Sequence, residues 1–160
     1  MALSYQNIID LLEEEAPHLL DFDAAVLPSK GLHLPSSRHL VEVFDSSDRS
    51  DDVIRNLVRL HSTGRLAGTG YYSILPVDQD IEHGAGVSFS KNPQYFDPEE
   101  IVMLAIDGGC SAVASTYGTL AMMSNKYASV IPFIVKLNHN DLLRYPTHYD
   151  QTFFATVQQA

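Results

Sequence analysis

The chain has 160 residues, 45% of them hydrophobic and 19% charged, with a formal net charge of -10. That length allows one ordinary domain with a real core, and the acidic balance argues against nucleic acid or an anionic membrane, whose binding needs clustered Lys and Arg. The single cysteine, Cys110, rules out an intrachain disulfide and fits a reducing, cytoplasmic compartment; no apolar run reaches the roughly 18 residues of a membrane span, and no basic start marks a secretory signal.

Residues 4–15 read as a helix with an apolar face of Ile8, Ile9, Leu11 and Leu12, ended by Glu13 to Glu15 and Pro17. Residues 17–49 are irregular, punctuated by Pro28, Gly31 and Pro35, with residues 40–44 as a short strand or helical turn. A second helix starts at Ser50. Asp51 and Asp52 suit its positive N-terminal end, Val53, Leu57, Val58 and Leu60 form its core stripe, and Gly64 stops it. Arg55, Arg59 and Arg65 make the one basic cluster, which reads as a solvated helix face because Asp51 and Asp52 dilute it.

From residue 70 the character changes. Residues 71–77 read as a buried strand, and residues 78–97 as a loop rich in Gly, Ser, Asn and Pro. The next helix has Asp97 as N-cap, Pro98 at its first position and Glu100 to complete a capping box. Its stripe is Ile101, Leu104 and Ala105, and Gly108-Gly109 ends it. Residues 112–116 are a second buried strand, 117–126 a short helix and 131–138 a third strand. A polar loop with His139, Asn140 and His148 follows, and a last helix opens at Asp150 or Gln151 and runs through Phe153, Phe154 and Val157. This βαβαβα order predicts an α/β fold with a parallel sheet and right-handed crossovers. The expected division is a mainly helical extension over 1–69 and three βα units over 70–160, part of a barrel or of a doubly wound domain. A TIM barrel needs eight such units, so the chain reads as truncated relative to its fold.

Chemistry concentrates where the first strand ends. Asp78, Asp80, Glu82 and His83 follow Val77 within six residues, and the carboxyl end of a strand is where α/β folds place their sites. Asp78 is a candidate acid or base; its structural alternative is a turn aspartate satisfying loop amides. The four groups together suit Mg, Mn or Zn by ligand type, but their spacing matches no established metal loop. Lys136 follows five residues of an apolar strand, where a lysine is costly unless paired or used. It could bind phosphate or carboxylate, form a Schiff base, or pair with a strand-end acid such as Asp78. Asn138 and His139 could orient a hydroxylated substrate. Ser115, Thr116 and Tyr117 could line the same mouth, with core packing for Thr116 and a helix cap for Ser115 as the alternatives. Cys110 lies at the remote end of its strand and reads as a small buried hydrophobe.

Several segments together resemble one family, the archaeal-type class I fructose-1,6-bisphosphate aldolases, in particular their bacterial members. They are Thr63-Gly64-Arg65-Leu66-Ala67-Gly68-Thr69-Gly70, residues 74–83, Asn92-Pro93 with Tyr95-Phe96-Asp97-Pro98, Val113-Ala114-Ser115-Thr116-Tyr117-Gly118, Val135-Lys136-Leu137-Asn138-His139-Asn140, and Tyr145-Pro146 with Tyr149-Asp150-Gln151-Thr152. The resemblance implies the N-terminal portion of a (β/α)8 TIM barrel. It also implies glycolytic cleavage of fructose 1,6-bisphosphate into dihydroxyacetone phosphate and glyceraldehyde 3-phosphate through a lysine Schiff base, with no metal or other cofactor, in homo-oligomers. It makes Asp78 the first-strand aspartate of proton transfer and Lys136 the third-strand lysine of the active-site mouth, which is not the Schiff-base lysine. It leaves Asp80, Glu82 and His83 as loop scaffolding, with Asp80 standing where the family has glycine. The family's nucleophilic lysine, on the sixth strand, its proton-transferring tyrosine and its phosphate loops all fall beyond Ala160, so the expectation is a chain inactive alone. The alternatives are a divalent-metal lyase or isomerase built on residues 78–83, and a non-catalytic interaction module.

Overall fold

The structure is a computed structural model that describes residues 4–22, 38–79, 81–142, 144 and 147–160. Pro28, Lys30, Gly31, Pro35, Asp80, Tyr145 and Pro146 lie outside the described residues. The chain divides into two compact units, Met1–Leu34 and Pro35–Ala160.

In the first unit, α1 (Tyr5–Leu12) is opened by a reciprocal cap in which the Ser4 hydroxyl accepts the Asn7 amide and the Asn7 side chain accepts the Ser4 amide. A 3-10 turn over Glu13–Glu15 leads into α2 (Ala16–Leu20). Pro17 therefore stands in the first turn of a new helix instead of ending the chain's helical start. A first-turn proline gives up an N–H that has no intrahelical partner in any case.

The second unit opens with α3 (His39–Phe44) and α4 (Asp51–His61), so the ambiguous segment at 40–44 is helical and Ser50 is the N-cap position of α4. The unit that holds the sheet thus begins well before residue 70. Gly64 fixes how the chain leaves α4. Its φ is +84°, and a Cβ there would lie 2.5 Å from the Gly109 carbonyl oxygen. The Arg65 amide then donates to that oxygen at 2.8 Å, tying the connection to the Gly108-Gly109 turn.

Three strands follow: β1 (Ile74–Val77), β2 (Ala112–Thr116) and β3 (Phe133–Lys136). The segment after β1, expected as a loop, holds a short helix, α5 (Ala85–Phe89), and a 3-10 turn over Pro93–Phe96. The strands form one parallel sheet in the order β1-β2-β3, with α6 (Pro98–Asp107) and α7 (Tyr117–Tyr127) as its crossovers. β1 is shorter than expected and alternates between exposed and half-buried residues, because it lies at an edge; central β2 is the buried strand. Asp97 does cap α6, but its carboxylate takes the Glu99 amide, and no reciprocal Glu100 contact forms. The buried face of α6 is Ile101, Val102 and Ala105, while Leu104 is exposed, so the helix is rotated from the expected stripe towards Val102.

Val113, Ile101, Val102, Ala105, Leu120, Tyr127 and Ile131 form the core, with Leu75, Val77, Phe133 and Val135 packed against it. Side chains alternate along a strand, so the residues between these, among them Pro76, Ala114, Ile134 and Lys136, belong to the opposite face of the sheet. The chain end departs from expectation: β4 (Asn138–Asn140) and β5 (Gln151–Phe153) form an antiparallel ribbon where a loop and a helix were expected. Thr152 and Phe153 suit a strand, and pairing across the ribbon satisfies backbone groups that an isolated last turn of helix would leave open. The described residues therefore show an α/β fold with a parallel sheet. Among them no helix is long and apolar enough to cross a membrane.

Candidate active site

The strand register builds the site. Val77 pairs with Ser115, and Thr116 pairs with Lys136. Asp78, the residue after β1, therefore comes level with Thr116 and Lys136 at the carboxyl ends of three parallel strands. Ser115 and Thr116 exchange their expected roles. The buried Ser115 hydroxyl donates to the Val77 carbonyl at 2.5 Å, tying β2 to β1, while Thr116 caps α7 by accepting the Thr119 amide at 3.3 Å.

Lys136 Nζ donates to Asp78 Oδ2 at 2.5 Å and to Glu82 Oε1 at 2.7 Å. Asp78 and Glu82 converge because the chain turns helically after β1, with the Ile81 and Glu82 amides both directed at the Asp78 carbonyl. Residues four apart on such a turn are neighbours. Glu82 is more than loop scaffolding: besides Lys136 it accepts the Asn140 amide at 3.2 Å, joining the first-strand loop to β4. The Lys136 hydrogen bond is the strongest influence on Glu82 and pulls its carboxyl below its ordinary pKa, with help from the Asn140 amide and against partial burial. For Lys136, burial is the largest influence and presses the pKa down. The hydrogen bonds and charges of Asp78 and Glu82 together outweigh it and hold the pKa above the ordinary lysine value.

Asp78, Glu82 and His139 place their ligand atoms within 4.8 Å of one another, the compass of a cation site. The cation there is the Lys136 ammonium, which already compensates the two carboxylates. The loop constellation read from sequence is not assembled: His83 is exposed, Asp80 lies outside the described residues, and the histidine that joins the acids is His139. His139 is fully buried, with Nε2 3.2 Å from the Lys136 carbonyl and its ring edge-on to Phe154, so it reaches the site through Asp78. Asn138, its neighbour on β4, projects to the other side of the ribbon and is not brought to Asp78. Cys110 lies two residues before β2, remote from the site as expected, but it is half-buried and not buried as expected, with Ser73 Oγ 3.8 Å from its sulfur.

Glu82 and His139 were the residues that sequence reasoning undervalued. The four-residue spacing of Asp78 and Glu82 was the available signal for the first, once the loop is taken as helical. His139 stands out in the sequence only as a polar neighbour of Lys136; its buried place beside Asp78 depends on the β4–β5 ribbon.

The arrangement pairs a strand-end carboxylate with an ammonium kept protonated. Two of three ammonium hydrogens are committed, and the half-exposed third is left for an oxygen of a bound molecule. A protonated amine has no lone pair, so Lys136 as held here is an electrostatic group and not a nucleophile.

A profile of the DeoC/LacD aldolases matches residues 72–160. A protein of Chlamydia trachomatis serovar D, described as "Probable fructose-bisphosphate aldolase class 1", is 55% identical over 154 residues, which are 96% of this chain and 44% of that protein. Proteins of the same description from Chlamydia muridarum and Chlamydia pneumoniae are 54% and 56% identical over the same shares. This chain thus spans less than half the length of these relatives. No solved structure matches.

Proposed function

The chain belongs to the DeoC/LacD family of aldolases, and on that footing we propose that it carries the first three strands of a class I fructose-1,6-bisphosphate aldolase barrel. The observation that carries this reading is the Asp78–Lys136 pair, two residues 58 apart in sequence that meet at the carboxyl ends of parallel strands. A TIM barrel builds its site at that end. The relatives are described as probable class 1 fructose-bisphosphate aldolases, and the reaction proposed here is accordingly cleavage of fructose 1,6-bisphosphate through a lysine Schiff base, in a reducing compartment that the single cysteine suits.

In this reading Asp78 moves a proton to or from the sugar, and Lys136 pairs with Asp78 and offers its remaining hydrogen to a substrate oxygen. The Schiff base forms on another lysine. Asn138 and His139 take supporting places, His139 from behind Asp78. The substrate class is a sugar phosphate.

Borohydride trapping with dihydroxyacetone phosphate, followed by peptide mapping, tests these roles. No adduct is expected on Lys136, because its amine stays protonated and ion-paired. A covalent adduct at Lys136 would make it the nucleophile and overturn the assignment.

A further inference from the structure

His139 has two ring nitrogens with opposite circumstances. Nε2 lies 3.2 Å from the Lys136 carbonyl oxygen, which only accepts, so Nε2 carries a hydrogen. Nδ1 is buried, has no hydrogen-bond partner, and faces Asp78 Oδ2 at 3.6 Å. A neutral ring with its hydrogen on Nε2 turns a lone pair towards a carboxylate oxygen. The buried Nδ1 is the unpartnered one of the two, since Asp78, 20% exposed, already accepts from Lys136, and a hydrogen between ring and carboxylate would satisfy it. The charged groups around the pair are Lys136, from β3, and Glu82, from the loop after β1; the Phe154 ring, just past β5, closes the apolar side at 5.5 Å. Lys136 already spends hydrogens on Asp78 and Glu82. The ring itself is sealed from solvent. Among the described residues, Asp78 is the one proton-carrying group whose atoms face Nδ1.

We propose that Asp78 and His139 work as one proton-transfer unit. A proton that Asp78 takes up passes to Nδ1: the carboxylic O–H bond breaks, an N–H bond forms, Asp78 returns to carboxylate and the ring becomes imidazolium. Return of the proton reverses both changes, so no other reactant is consumed. Asp78 is the group that meets the substrate, and His139 is its positioning and proton-holding partner. The separation of 3.6 Å is the loose geometry that catalytic pairs show before substrate binds. The inference rests on the aldolase reading, which gives Asp78 its proton-transfer role.

Nitrogen NMR of the chain with labelled histidine tests it at pH 7, with His139 assigned by the signals missing from His139→Gln. Nε2 is expected at the protonated position. Nδ1 is expected between the protonated and unprotonated limits, moving to the unprotonated limit in Asp78→Asn, which has no carboxyl proton to share. An Nδ1 signal that is the same in both proteins would overturn the proposal. Should Asp78→Asn fail to fold, the wild-type spectrum decides: a neutral ring with its hydrogen on Nδ1 and a bare Nε2, or Nδ1 at the unprotonated limit, overturns it. The readout needs no substrate. Absence of fructose 1,6-bisphosphate cleavage in a separate assay would therefore count against the aldolase reading alone.

Discussion

At the scale of residues, the site is an ammonium shared by two carboxylates, and its energetics have a pH signature. Glu82 is held below its unfolded pKa, so its contribution to stability is present above about pH 4.3 and is lost as pH falls through the lowered value. Lys136 is held above its unfolded pKa, so its contribution is complete below about pH 10.4 and is lost as pH rises through the raised value. Melting temperature followed across pH is expected to be level in between, as far as these groups decide it, and to fall on both sides. Lys136→Met leaves Asp78 and Glu82 facing each other without a counter-charge. Its cost is about 1–2 kcal/mol at pH 7, below the value for a fully buried pair because the lysine side chain is 38% exposed. The alkaline fall should weaken in this variant. An unchanged profile, read by calorimetry, would show that the pair contributes nothing to stability.

At the scale of elements, β2 and the helices on either side of it place the site. α6 and α7 cover one face of the sheet, leaving the row of Lys136 to the other. The turn from β2 into α7 depends on Thr116, whose hydroxyl accepts the Thr119 amide and whose side chain is buried. Thr116→Ala is expected to lower stability by about 1 kcal/mol and Thr116→Ser to restore most of it. Urea unfolding checks this by its midpoint, and equal midpoints for Thr116→Ala and wild type would deny the cap. These elements were legible in the sequence for local reasons. Ala112-Val113-Ala114-Ser115-Thr116 is a run of small, uncharged residues, as suits a strand covered on both faces, and Asp97-Pro98 is a helix start written in adjacent residues. The ribbon was not legible. Gln151-Thr152-Phe153 is too short to show a period, and its strand character comes from pairing with Asn138-His139-Asn140. The site divides the same way. Asp78 and Lys136 stand out as charges closing apolar strands; Glu82 is marked only by its four-residue spacing from Asp78, and His139 takes its place from a strand pairing that no local pattern encodes.

At the scale of the whole molecule, the parallel sheet runs β1-β2-β3, with both crossovers on one side and ionisable groups gathered at the carboxyl end. Among the described residues β3 has no strand on its far side, and these 160 residues correspond to 44% of the aldolase relatives from Chlamydia. On the proposed reading, the mouth formed by Asp78, Glu82 and Lys136 is the part of a sugar-phosphate site that this chain carries. Titration of the isotope-labelled chain with dihydroxyacetone phosphate, followed by NMR, asks that question. The account predicts saturable shifts centred on Asp78, Glu82, Lys136 and His139 that vanish in Lys136→Met; shifts confined to other regions, or persisting unchanged in Lys136→Met, would contradict it.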